Sequence, residues 1–77
     1  MIEKNYIFVT KNRKQVKIIF NKIVYIESLK DYIKIHFTDK NPIIIKFSIS
    51  AFKKKLDKNF IRIHRSYIVN KNKITAF

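Results

Sequence analysis

At 77 residues, with no cysteine and no glycine, the chain reads as one small domain held by packing alone, without a disulfide framework or a thiolate metal site. Eighteen Lys and Arg stand against five Asp and Glu, a formal charge of +13, which points to a polyanionic partner and says nothing about fold. Met1 to Lys4 is no signal peptide and no apolar run approaches the roughly 20 residues that span a bilayer, so the expectation is a soluble, cytoplasmic protein with no membrane partner.

The dominant period along the chain is two. Tyr6 to Thr10 predicts a strand, Lys11 to Lys14 a turn, and Gln15 to Phe20 its hairpin partner. Without glycine, Asn12, Asn41, Asn59 and Asn72 are the natural turn formers, since Asn tolerates left-handed backbone better than other residues. Ile23 to Ser28 predicts the next strand and Leu29 to Asp31 a polar loop. Tyr32 to Phe37 follows as a strand with Ile33, Ile35 and Phe37 on one face and Tyr32, Lys34 and His36 on the other. Thr38 to Pro42 turns the chain, and Ile43 to Phe47 returns as a strand. One helix interrupts this order: Ser48 can cap the donors of Ser50 or Ala51, and Phe47 can staple to Phe52. Ile49, Phe52 and Leu56 recur at helical spacing, with Lys53 to Lys55 near the negative end of the dipole. Phe60 to His64 predicts a strand, Ser66 to Asn70 a helical turn, and Lys73 to Phe77 the start of a last strand. Phe60, Ile61, Ile63, Tyr67, Ile68 and Val69 are expected in the core, and Asn70 is expected to fix a turn through its side chain.

Fifteen Lys, sixteen Ile and seven Asn are what an A/T-rich gene encodes, but that bias leaves the scarcity of acids unexplained. Catalysis finds no support. The chain has no Cys nucleophile and no Gly-rich phosphate loop, and its two histidines lie on different strands with no carboxylate close in sequence. No CxxC pair or His at i and i+4 offers a metal site, so no enzyme activity and no cofactor is expected.

Three blocks in order, IVYIES (Ile23 to Ser28), DYIKIHF (Asp31 to Phe37) and FIRIHRSYIVN (Phe60 to Asn70), resemble the LytTR family of bacterial DNA-binding domains over about residues 4 to 77. The resemblance implies a mostly β fold with one short helix (α+β), built as elongated antiparallel sheets. It also implies that the chain grips double-stranded DNA by loops, often at direct repeats, as the output domain of a response regulator. The family pattern runs on past Phe77 with further strands and another basic segment, so C-terminal strands are read as missing. The edge begun at Lys73 to Phe77, with Ile74 and Phe77, would then favour a homodimer.

In this family the loop between the third and fourth strands and the residues after the F-x-R-x-H strand face DNA. Here these are Lys30, Asp31 and Tyr32, and His64, Arg65 and Ser66. Arg65 is the leading candidate, because a guanidinium fork can bond two acceptors on one guanine or clamp a phosphate. Lys11, Arg13, Lys14, Lys53, Lys54 and Lys55 are candidates for phosphate contacts, which position a protein without reading sequence. Two other readings remain open: a basic RNA- or ribosome-associated protein, and a shortened interaction module that modulates a full-length regulator.

Overall fold

The computed structural model describes residues 5–73. Strands β1 (Tyr6–Lys11) and β2 (Lys14–Ile19) form a two-stranded hairpin. A second, five-stranded sheet contains β3 (Ile23–Leu29), β4 (Tyr32–Phe37), β5 (Ile43–Lys46), β6 (Phe60–His64) and β7 (Tyr67–Asn70), in the order β5-β4-β3-β7-β6. Every pairing is antiparallel. One helix, α1 (Ile49–Lys53), lies between β5 and β6. The fold is therefore mostly β with a single short helix, as the alternation of the sequence predicts.

Side-chain parity decides which face of the large sheet is buried. Ile26 on β3, Ile33 and Ile35 on β4, Ile45 on β5 and Ile68 on β7 lie opposite one another in register and are buried. They join Val9 and Ile18 of the hairpin, Phe20, Ile23, Ile49, Phe52 and Phe60 in one core. Burial of each such side chain contributes about 1.5–3 kcal/mol. The alternate residues form an outer face that carries Tyr25, Glu27, Leu29, Tyr32, Lys34, His36, Ile44, Tyr67, Val69 and Ile61. Several of these, including Tyr32, Ile44, Ile61 and Tyr67, are exposed.

The helix follows its sequence signals. Ser48 Oγ accepts the backbone N–H of Ala51 at 3.0 Å, and Phe47 meets Phe52 edge-to-face at 5.5 Å between ring centres. α1 ends at Lys53, and a turn carries the chain on to the half-buried Leu56. Between β1 and β2, Asn12 and Arg13 both adopt left-handed backbone, with φ of 53° and 65°, the geometry of a two-residue type I′ hairpin turn.

The structure corrects the reading of the C-terminal third. Ser66 to Asn70 is not a helical turn: Tyr67–Asn70 is a strand, paired on both sides. A register shift between Arg62 and His64 and then a turn at Arg65 and Ser66 interrupt the alternation, and the chain returns as a strand at Tyr67. Ile61, Ile63 and Tyr67 are exposed rather than core, Ile63 by 62%, because β6 is an edge strand and the outer face is uncovered. Val69 is half-buried, while Phe60 and Ile68 do belong to the core. Lys71–Lys73 forms a 3₁₀ turn. The remainder of the expected last strand, with Ile74 and Phe77 and the dimer edge drawn from them, lies outside the described residues.

Asn70 does more than fix a turn. It is 2% exposed, and its Nδ2 donates to the carbonyls of Ile23 (2.9 Å) and Phe20 (3.3 Å), while its Oδ1 accepts from the N–H of Asn72 (3.0 Å). One buried amide thus ties the end of β7 to the chain entering β3. Its polar atoms are satisfied, as a buried amide requires.

Candidate nucleic-acid interface

The antiparallel pairing of β3 with β7 sets the site. Because Glu27 lies opposite Tyr67, the end of β3 and the start of β7 meet at one end of the sheet, where the N–H of Ser28 donates to the carbonyl of Ser66 at 2.8 Å. The β3–β4 turn, Lys30 and Asp31, and the β6–β7 turn, Arg65 and Ser66, are thereby held side by side. Two segments more than thirty residues apart in sequence become neighbours. Tyr32 and His64 flank these turns, and Tyr32 is 46% exposed.

Lys30 sits at φ 59°, a left-handed conformation that is uncommon for a long side chain and costs about 1 kcal/mol or more. The strain lies at the turn that carries the candidate residues. β5 contributes to the same end, because Lys46 pairs opposite Tyr32, and a shallow groove there is lined by Lys30, Asp31, Lys46, Phe47 and Ser48. Sequence reasoning did not select Lys46. Its signal was the pairing register of β4 with β5, which alternation alone does not fix.

The β6–β7 turn is organised by hydrogen bonds. His64 Nδ1 lies 3.1 Å from the N–H of Ser66 and accepts from it, so that nitrogen carries no proton and Nε2 is left as a donor. Arg62 was absent from the candidate residues, yet its guanidinium reaches three acceptors. Nη2 donates to the Arg65 carbonyl (2.6 Å), Nη1 to Ser50 Oγ (2.8 Å) and Nε to the His64 carbonyl (3.3 Å). The Arg65 side chain is exposed.

Among the described residues Lys22 pairs with Asp39 (3.5 Å), and His36 Nε2 lies 3.0 Å from Glu27 Oε1. Neither involves Lys30, Lys46, Arg62 or Arg65, so within this set these cations have no carboxylate partner. Glu27 and His36 lie on the outer face, where the His36 ring stacks on Tyr25 at 4.0 Å. They stand nine positions apart in the chain, and only the strand register makes the carboxylate a neighbour of the imidazole.

The remaining candidates are placed elsewhere. Lys11, Arg13 and Lys14 surround the exposed hairpin turn, and among the described residues no hydrogen bond or ion pair joins them to the β3–β4 or β6–β7 turn. Lys53 and Lys54 lie at the end of α1 away from Ser48 and Ser50, and Lys55 borders a shallow cleft with Tyr6, Ile7 and Phe8 of β1. Six of the twelve candidate residues therefore converge, and the other six lie on the hairpin turn and about the end of α1. No helix among the described residues is long and apolar enough to cross a membrane.

Comparison with known proteins places the fold in a family. The family model of the LytTr DNA-binding domain matches residues 13–77. A solved LytTr DNA-binding domain, from a Bacillus cereus protein described as a methyl-accepting/DNA response regulator, superposes with a TM-score of 0.77 at 29% identity. That match covers 96% of this chain and 68% of the other. No curated protein matches. The β3–β4 and β6–β7 turns fall within the matched residues, and the chain belongs to the family of LytTr DNA-binding domains.

Proposed function

We propose that this chain binds double-stranded DNA in a sequence-dependent manner as the DNA-binding part of a bacterial transcriptional regulator, reading grooves through its two adjoining turns. The observation that carries this reading is the Ser28–Ser66 hydrogen bond, which unites Lys30, Asp31 and Tyr32 with His64, Arg65 and Ser66 at one end of the sheet. In this reading Arg65 enters a groove and reads a base edge by its fork, His64 offers its Nε2 donor, and Tyr32 and Ser66 meet sugar or base edges. Lys30 and Lys46 lie at the same end, and Lys11, Arg13, Lys14, Lys53 and Lys54 contact phosphates on either side. Asp31, the one acid in the set, accepts from a cytosine amino group or holds a neighbouring cation in place. The target in this reading is a pair of direct repeats, with one copy of the chain at each.

A net charge of +13 supplies the non-specific part of binding, and the paired turns supply the specific part. The test is selection from a random duplex library at moderate salt, with structured RNA as competitor. A repeated motif that RNA fails to displace supports the proposal. A flat selection with strong RNA competition favours the RNA-associated reading. A flat selection with weak binding to both favours the interaction module, for which the exposed apolar side chains Ile44, Ile61, Ile63 and Tyr67 speak.

A further inference from the structure

The turn that carries Arg65 is only as good a reader as its backbone is fixed, and the backbone bonds there can be followed atom by atom. The Ser66 carbonyl is held by Ser28 and the Ser66 N–H by His64 Nδ1. The two carbonyls that precede them, of His64 and Arg65, are held by a single side chain, Arg62. The third bond of that guanidinium, to Ser50 Oγ, anchors it to the first turn of α1, which the Ser48 cap fixes in turn.

We propose that Arg62 is a positioning residue: it clamps the β6–β7 turn to the start of α1 and so sets the direction in which Arg65 leaves the backbone. The inference rests on the DNA-reading role proposed above for that turn. Arg62 suits the task by its place in the sheet. It pairs opposite Ile68, on the side of β6 that faces the helix, while Ile61 pairs opposite Val69 on the outer face. The register shift after Arg62 lets His64 and Arg65 curl back over its guanidinium. Three acceptors in two different elements need a planar fork with several donors, and a lysine ammonium at the end of a flexible stem cannot span them. Among the described residues no carboxylate pairs with Arg62, so its charge strengthens bonds to neutral oxygens instead of being consumed in an ion pair.

A clamp and a phosphate contact make different predictions for Arg62→Lys, which retains the charge. If Arg62 is a clamp, the lysine variant loosens the turn, so in the free protein the amides of Ser28 and Ser66 should exchange with solvent at least tenfold faster, while those of Ile26 and Ile68 keep their rates. On duplex DNA the variant should keep the wild-type salt slope but lose roughly tenfold in discrimination at the base pairs read by Arg65. Adding Arg65→Ala to Arg62→Lys should then cost little further discrimination. Ser50→Ala, which removes one anchor and no charge, should move the same readouts in the same direction by less. Wild-type amide exchange in Arg62→Lys would overturn the clamp whatever the DNA result, as would intact discrimination with weaker binding to all sequences. Faster Ser28 and Ser66 exchange in a protein whose wild type shows no base preference would support the clamp while overturning the DNA-reading role on which its consequence depends.

Discussion

The backbone N–H of Ser28 donates to the carbonyl of Ser66 at 2.8 Å, and that one bond brings the two turns of the candidate interface together. Neither serine need touch DNA for this to matter. A backbone bond at the end of the β3–β7 ladder uses neither serine side chain, so substitutions of the exposed side chains that do not brace the turn, Arg65 and Lys30 among them, can be read for their effect on binding. The same end of the sheet holds a left-handed lysine, an exposed arginine and the start of the helix.

Replacing Arg65 by alanine is expected to relax preference at one or two base pairs by about 1–3 kcal/mol, measured by competition among single-base variants of a selected site. Lys54→Ala is expected to weaken all sequences alike. Arg65→Ala with its preference intact and every affinity lowered equally would make Arg65 a phosphate contact.

Lys30 and Arg13 both hold left-handed backbone that glycine adopts without strain. Lys30→Gly and Arg13→Gly are therefore each expected to raise stability by about 1 kcal/mol in urea unfolding while weakening duplex binding. Greater stability with reduced affinity would show strain retained for the sake of the side chain. Unchanged affinity in Lys30→Gly would remove Lys30 from the interface.

Asn70→Ala leaves the carbonyls of Phe20 and Ile23 and the N–H of Asn72 without their partner. A loss of about 1–3 kcal/mol is expected in chemical denaturation. Binding measured well below the unfolding transition should persist, because the amide lies at the end of β7 remote from Ser66.

Affinity for duplex DNA should fall steeply with salt, with a slope of log K against log salt near −0.9 for each phosphate neutralised. Replacing Arg13 or Lys14 by alanine should reduce that slope by about one unit if the hairpin turn contacts a phosphate. A slope identical to that of the wild type would assign the hairpin charges to solvent.

Much of this was legible in the sequence because period-two alternation holds within β1, β2, β4 and β5, and Ser48, Phe47 and Phe52 announce the helix. The resemblance of the three blocks to the family also implies Arg65 and Lys30 as candidates. What the sequence hid depends on tertiary approach. The register shift between Arg62 and His64 disguised β7, and the position of β6 at the sheet edge turned Ile61 and Ile63 outward. The sequence could not show what Arg62 holds, since its partners on α1 and in the next turn meet it only in the fold. Glu27 and His36 became neighbours in the same way.

The most direct measurement of the central claim is amide chemical-shift mapping of the folded protein on titration with a duplex taken from the selection. The largest changes are expected in residues 28–32 and 64–67, with smaller ones at Lys46 and at the hairpin turn, and little at Asn21, Asn59 and Asn72 at the opposite end. Changes centred on the outer face, at Ile44, Ile61 and Val69, with the two turns unmoved, would contradict it.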